Sequence, residues 1–131
     1  MIVIDTSALM ALLLSEPTAD EIAGILAGED KLVISAGTLA EALIVAARRG
    51  IAEEMDMLLN GIGIEVDSVT AASAVGIAQA YDKWGRGVHP AGLNFGDCFA
   101  YQSAKTRGAS LLFVGEDFSR TDVVPAIHTT D

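Results

Sequence analysis

The sequence has little cysteine and no long apolar run. One cysteine among 131 residues excludes an intramolecular disulfide and favours a reducing compartment, so we expect a cytoplasmic protein. No apolar stretch reaches the roughly 18 residues that a membrane-spanning helix needs. Asp5 interrupts the first apolar run too early for a secretory signal peptide. Internal repeats, low-complexity tracts and linkers are also lacking, which predicts a single domain over residues 1–131.

Positive charge is scarce as well. Eight basic residues stand against 18 acidic ones, giving a formal charge of −10, whereas a general nucleic-acid-binding protein would be basic. The totals do not exclude a cleft of carboxylates that hold metal ions, because the metal ions make such a cleft attractive to phosphate. The hydrophobic share of 51% and the mean hydropathy of +0.43 fit strands covered on both faces and apolar surface for a partner.

Short apolar segments separated by helical patterns predict an α/β fold. Strands are expected at residues 2–4, 31–35, 63–67 and 111–114, with a weaker edge strand at 123–127 because Pro125 cannot donate to a ladder. The spacing of Thr38 and Glu41 is that of a capping box, so a helix is expected to begin there. Strands joined through helices pair in parallel by right-handed crossovers. We therefore predict a three-layer α/β/α domain with a mainly parallel sheet of four to five strands.

Four carboxylates occupy special places in this pattern. Asp5 follows the first strand, Asp117 follows the fourth, Glu41 lies inside an apolar helix, and Asp97 opens the helix after the glycine-rich loop 85–94. Each has a structural explanation when taken alone, as a helix cap, a helix-dipole partner or a turn residue. In a parallel α/β sheet, however, strand ends and helix starts of this kind converge on one edge.

Carboxylates gathered at one edge would repel one another unless a divalent cation neutralised them. Oxygen ligands without a nearby cluster of histidine or cysteine favour Mg²⁺ or Mn²⁺ over zinc. Such a site suits hydrolysis of a phosphodiester, with the attacking water oriented or deprotonated by a carboxylate. For that role Asp97 is the first choice and Glu41 the second.

Four segments in this order carry a family resemblance. They are Ile-Val-Ile-Asp-Thr-Ser at residues 2–7, the internal Glu41, Gly-Leu-Asn-Phe-Gly-Asp-Cys-Phe at 92–99, and Leu-Leu-Phe-Val-Gly-Glu-Asp-Phe at 111–118, which continues to Thr121 and Asp122. With these segments the chain resembles the PIN-domain family, and within it the VapC-type toxins of bacterial toxin–antitoxin pairs.

The resemblance implies an endoribonuclease that depends on Mg²⁺ or Mn²⁺ and arrests growth by cutting RNA. It carries the acidic catalytic quartet onto Asp5, Glu41, Asp97 and Asp117, with Asp5 and Asp97 as the metal ligands. It makes Ser7 a polar companion of Asp5 and Asp122 an outer ligand, both auxiliary. It also implies a homodimer and a VapB-type antitoxin whose tail blocks the acidic groove.

Three basic residues near the quartet are predicted to contact RNA. Arg86 and His89 lie on the glycine-rich loop before Asp97, and Arg120 follows Asp117. A further histidine, His128, is expected to be structural.

Two other functions stay open at this point. One is a catalytically silent domain that binds RNA or a protein partner without cutting. The other is a metal-dependent phosphatase or phospho-acceptor, which also uses aspartates at strand ends. Ser7 stands where the common phosphatase pattern has a second aspartate, and no lysine follows Val114 closely, as a receiver domain would need.

Overall fold

The structure is a computed structural model that describes residues 1–127, so His128 lies outside the described residues. Strands and helices alternate along the chain and keep the predicted order. The elements are β1 (Ile2–Ile4), α1 (Thr6–Leu13), α2 (Ala19–Gly28), β2 (Leu32–Ser35), α3 (Ala36–Arg48), α4 (Ala52–Ile62), β3 (Glu65–Asp67), α5 (Ala71–Trp84), α6 (Phe95–Arg107) and β4 (Ser110–Leu112).

The sheet has four parallel strands in the order β3-β2-β1-β4. Alternate residues of β1 point to opposite faces of the sheet, because successive side chains along a strand alternate between the two faces. Ile2 and Ile4 pack into one core with Leu9, while Val3 packs into the other with Leu111. The first core also takes residues of α2, α3 and α4, and the second takes residues of α5 and α6. The three-layer α/β/α prediction is therefore confirmed.

The predicted fifth strand is wrong. The segment after Asp122 pairs with β4 at a single bridge, where the Leu111 N–H donates to the Val124 carbonyl at 2.8 Å and the Ala126 N–H donates to the Leu111 carbonyl at 2.9 Å. Pro125 lies between Val124 and Ala126 and has no N–H that could donate a further hydrogen bond to a neighbouring strand. Within residues 1–127 the sheet consists of four strands.

The predicted start of α3 is also wrong. The helix begins at Ala36, and the Ser35 hydroxyl caps it by accepting from the Gly37 N–H at 3.3 Å. Thr38 is buried inside the helix, and Glu41 takes no part in a cap. Because α3 follows strand β2 directly, the serine at the end of the strand is the N-cap residue, and Thr38 lies within the helix. Within residues 1–127, no helix is long and apolar enough to span a membrane.

Candidate active site

Asp5 stands at the carboxyl end of the central strand β1 and caps α1. Its Oδ2 accepts from the Ser7 N–H at 3.1 Å and from the Ser7 hydroxyl at 2.7 Å. The residue is 5% exposed, and its Oδ1 is buried without a hydrogen-bond partner among residues 1–127. Buried polar atoms are nearly always paired, so an unpartnered carboxylate oxygen indicates a place for a ligand.

Ser7 connects Asp5 to the chain that leaves β4. While its hydroxyl donates to Asp5, its oxygen accepts from the Val114 N–H at 3.0 Å. The Asp5 N–H in turn donates to the Leu112 carbonyl at 2.9 Å. These bonds fix the start of the turn that carries Asp117, which is exposed, beside the end of β1.

Glu41 reaches the same place from α3. The Thr6 hydroxyl donates to its Oε1 at 2.8 Å, and Thr6 directly follows Asp5. On the other side the carboxylate lies against Gly96 of α6, where an added Cβ would be 3.0 Å from the Glu41 Cδ and closer still to Oε2. Glu41 thus bridges the starts of α1 and α6.

Asp97 is held at the start of α6 by a capping box with Asn94. The Asp97 N–H donates to Asn94 Oδ1 at 2.8 Å, and the Asn94 N–H donates to Asp97 Oδ2 at 3.0 Å. The aspartate is 8% exposed. Asp97 therefore lies in the first turn of α6, as the sequence predicts, and the capping box fixes the orientation of its carboxylate.

The four carboxylates are close enough to influence one another electrostatically. Burial raises the pKa of Asp5 to about 6, with Glu41 and Asp117 adding to the shift while the Ser7 hydrogen bonds oppose it. Burial likewise raises the pKa of Asp97 to about 7, and the negative charges of Asp5, Asp117 and Glu41 push it further in the same direction. The fold therefore concentrates uncompensated negative charge at one edge of the sheet.

These residues fit a divalent cation by their chemistry. All four side chains offer carboxylate oxygens, and one oxygen of Asp5 lacks a partner among residues 1–127. A cation would offset the burial and, to a smaller extent, the repulsion that raise the pKa values of Asp5 and Asp97. Within residues 1–127, however, no three Asp, Glu, His or Cys side chains already converge closely enough to chelate one ion.

Asp122, the predicted outer ligand, lies in a different network. Its Oδ1 accepts from the Tyr101 hydroxyl at 2.7 Å, and Lys105 Nζ lies 3.2 Å from its Oδ2. The Trp84 indole N–H donates to the same Tyr101 oxygen at 2.9 Å. The Tyr101 hydrogen bond, with help from Lys105, lowers the pKa of Asp122. The structure thus assigns Asp122 to fastening the chain after β4 onto α6.

Two of the three residues predicted to contact RNA, His89 and Arg120, make contacts that stabilise the glycine-rich loop. His89 packs edge-on against Trp84, with ring centroids 4.7 Å apart, and its Nδ1 accepts from the Ala91 N–H at 3.0 Å. Arg120 donates to the Pro90 carbonyl at 3.5 Å. Arg86 is exposed at the rim of an apolar groove next to Asn94.

That groove has a volume of about 600 Å³ and runs between α5 and α6. Its aromatic lining consists of Tyr81, Phe95 and Phe99, and Phe95 is 69% exposed although it lies two residues before Asp97. An apolar surface of this kind next to the carboxylates is suited to contact with another molecule.

Sequence reasoning missed three residues at this site. Asn94 stands three residues before Asp97, which is the capping-box spacing and could have been recognised. Thr6 and Gly96 carried no such signal, because each acts on Glu41 from more than 30 residues away in the sequence.

Removal of the Ser7 hydroxyl tests its bridging role. We expect Ser7→Ala to lower the free energy of unfolding by about 1–3 kcal/mol, because the Val114 N–H loses its acceptor and Asp5 loses a donor. Urea denaturation followed by circular dichroism measures the change. Ser119→Ala is the matched control, since the Ser119 hydroxyl makes only an exposed bond to the Glu116 carbonyl. Equal effects of the two substitutions would contradict the bridging role.

Comparison with known proteins places the chain among relatives. A family model described as PIN domain matches residues 2–124. The chain is 44% identical over 124 residues to ribonuclease VapC30 of Mycobacterium tuberculosis, an alignment that covers 92% of this chain and 95% of that protein.

Two solved structures have the same fold. One is the Mycobacterium tuberculosis toxin VapC20, described as cleaving the sarcin–ricin loop, with a TM-score of 0.76 and 18% identity over 95% of this chain and 97% of that one. The other belongs to a toxin–antitoxin complex from Klebsiella pneumoniae, with a TM-score of 0.73 and 17% identity over 95% of both chains.

Proposed function

Because the chain belongs to the PIN-domain family, as a VapC-type member of it, we propose that it is a divalent-metal-dependent endoribonuclease. It acts as the toxin of a VapBC-type toxin–antitoxin pair on RNA in the cytoplasm. The observation that carries this proposal is the placement of four mutually interacting carboxylates at the carboxyl edge of the sheet, with Asp5 and Asp97 buried and their pKa values raised.

Asp5 and Asp97 would hold the cation, with Glu41 and Asp117 beside them. When bound, Mg²⁺ or Mn²⁺ supplies the positive charge that neutralises the carboxylates and stabilises the negative charge of the reacting phosphate. Asp5 is suited to this task because its Oδ1 has no other partner, while Ser7 fixes its Oδ2.

Asp97 would orient the attacking water and accept its proton. The Asn94 N–H occupies only one lone pair of Asp97 Oδ2, so the carboxylate keeps lone pairs on both oxygens, for the cation and for the proton of the water. The water oxygen forms a bond to phosphorus, and the bond from phosphorus to the leaving sugar oxygen breaks. Glu41 is the second choice for the base, since Thr6 engages its Oε1 and leaves Oε2 for this task.

The proposal includes two protein partners. A VapB-type antitoxin would silence the enzyme by covering the acidic edge, in keeping with the toxin–antitoxin complex among the structural relatives. A second copy of the chain would form a homodimer, for which exposed apolar side chains such as Phe95 and Val75 offer surface. Light scattering on the purified chain tests the homodimer: twice the 13.6 kDa chain mass supports it, and the monomer mass contradicts it.

The test of the enzymatic proposal is cleavage of total cellular RNA by the purified chain with Mg²⁺ or Mn²⁺. We expect discrete fragments that disappear when EDTA removes the metal. Fragments that persist in EDTA would contradict metal dependence.

One observation favours a second candidate, a domain that binds RNA or a partner without cutting it. Within the described residues 1–127, no three potential ligands are already arranged to chelate an ion. The same experiment separates the two: RNA that is bound and shifted in a gel, yet left uncut with metal present, would support the silent domain.

A further inference from the structure

Glu41 differs from the other three carboxylates in how it is placed. Asp5 and Asp97 cap helices and are fixed by local backbone bonds, and Asp117 lies in a turn. Glu41 is inside α3, where nothing in its own helix orients the long side chain. We propose that Thr6 and Gly96 are positioning residues that together hold the Glu41 carboxylate in the cation site. This inference rests on the metal-dependent function proposed above.

Thr6 supplies the directional contact. It is buried at the start of α1, and its hydroxyl donates to Glu41 Oε1 at 2.8 Å, with a longer contact of 3.4 Å to the Thr38 carbonyl. The side chain is branched at Cβ and therefore has few rotamers in a helix. Because Thr6 is bonded to Asp5 through one peptide, the hydrogen bond sets the position of Glu41 relative to Asp5.

Gly96 supplies the space. An added Cβ at this residue would meet the Glu41 carboxylate, with the Cδ at 3.0 Å. Helices α3 and α6 make a second contact of the same kind, since a Cβ at Gly37 would overlap the ring of Phe99. In each case one helix offers a glycine to a side chain of the other. The Glu41 carboxylate thereby rests on the backbone of α6 one residue before Asp97.

The two contacts act on the same carboxylate from opposite sides. The Thr6 hydroxyl forms a hydrogen bond with one oxygen at the start of α1. The absence of a side chain at Gly96 leaves room for the other oxygen at the start of α6. Replacing Thr6 or Gly96 should therefore move Glu41 away from Asp5 and Asp97 and weaken the binding of a cation, even though neither residue carries a charge.

Gly96→Ala gives the sharper test, because its effect on binding should be much larger than its effect on stability. Alanine has a higher helix propensity than glycine, which offsets part of the cost of moving Glu41 away from Thr6, and the atoms that the Cβ meets are the end of a flexible side chain, so the variant should stay folded with an unfolding temperature near that of the wild type. Displacement of Glu41 should nevertheless weaken Mn²⁺ binding by about 10- to 100-fold, the usual effect of losing an outer partner of a metal ligand. Titration calorimetry of the full chain with MnCl₂, without RNA, measures the affinity.

Thr6→Val removes the hydroxyl and keeps the shape, and we expect a loss of Mn²⁺ affinity of about 10-fold. Thr6→Ser keeps the hydroxyl and should restore most of the affinity. Thr18→Val is the matched control: the Thr18 hydroxyl is also buried, but within the described part of the chain it has no partner, and it lies beyond the far end of α1. The control should bind Mn²⁺ like the wild type. In RNA cleavage the Thr6→Val variant should lower kcat more than it raises KM.

A double-mutant cycle decides whether the effects pass through Glu41. Once Glu41→Gln has removed the charge, Thr6→Val and Gly96→Ala should cause little further loss. Fully additive losses would overturn the inference, as would wild-type affinity in both single variants. If Thr6→Val does not fold, the cycle of Gly96→Ala with Glu41→Gln still tests whether the loss of Mn²⁺ affinity passes through Glu41.

The outcomes also separate this inference from the proposed function. Wild-type chain that binds Mn²⁺ but cuts no RNA would contradict the ribonuclease, while loss of affinity in the variants would still support the positioning role. Wild-type chain that binds no Mn²⁺ would overturn both the metal site and the positioning of Glu41 within it.

Discussion

Asp97→Asn is expected to slow RNA cleavage by about 100- to 10,000-fold, the range typical of a lost general base. The amide cannot accept the proton of the attacking water, and it removes one of the negative charges that would hold the cation. Asparagine keeps an oxygen that can accept from the Asn94 N–H, so the capping box and α6 should survive. Single-turnover cleavage of a defined fragment from the total-RNA digest measures the rate.

The control for this substitution is Glu116→Gln, which removes a carboxylate from an exposed residue next to Asp117. It carries the same chemical change and should leave the rate within about twofold, because Glu116 is exposed and is not one of the four carboxylates. An Asp97→Asn variant that folds and still cuts at the wild-type rate would refute the assignment of the active site. Equal losses in both variants would point to a general effect of charge on RNA approach.

Without divalent metal, the free energy of unfolding is expected to fall as the pH rises from about 4 to about 7. The unfolded chain has ordinary aspartate pKa values near 3.8, whereas the pKa is about 6 for Asp5 and about 7 for Asp97 in the folded chain. Between these values the folded state binds more protons than the unfolded state, so each rise in pH favours unfolding. The loss for the coupled pair is on the order of several kcal/mol, and it is absent below about pH 4, where both states are protonated.

Other aspartates do not reverse this trend. Burial alone would raise the pKa of Asp67, but hydrogen bonds from Arg107 and Ser103 outweigh it and lower the pKa. The pKa of Asp122 is lowered by Tyr101. Groups with lowered pKa values stabilise the fold above their unfolded pKa and lose that effect only as the pH falls through the folded one. Their contribution therefore changes below about pH 4, outside the window in which Asp5 and Asp97 titrate.

Urea denaturation in EDTA at pH 5 and pH 8 measures the pH dependence, and Mg²⁺ should raise the unfolding temperature at pH 8 more than at pH 5. A bound cation stabilises only the folded state, and it binds best when the carboxylates are ionised. Asp5→Asn and Asp97→Asn should each flatten the dependence and stabilise the metal-free chain at pH 8. Stability that is constant or rises from pH 5 to pH 8 in EDTA would show that ionising the buried Asp5 and Asp97 does not destabilise the fold.

Local sequence patterns drew attention to Asp5, Asp97 and Asp117 because these residues lie near the ends of strands and the start of a helix. The apolar run before Asp5 marked a buried strand, and the loop before Asp97 marked the start of a helix that the structure places at Phe95–Arg107. Local patterns gave the wrong element boundary where two neighbouring patterns favoured different structures. Thr38 and Glu41 have capping-box spacing, yet Ser35 caps α3, because the helix starts directly where β2 stops. Likewise Pro125 weakened a strand that the apolar pattern had favoured.

The sequence alone determined the alternation of strands and helices, the α/β fold class and the places of the carboxylates along the chain, since these follow from patterns of neighbouring residues. The tertiary structure alone decided what surrounds those carboxylates. Ser7 meets Val114 across 107 residues, and Thr6 meets Glu41 across 35. Whether a hydroxyl finds such a partner, or a glycine such as Gly96 admits a distant side chain, depends on how the helices pack on the sheet. That packing is set by contacts of the whole core, which no local pattern records.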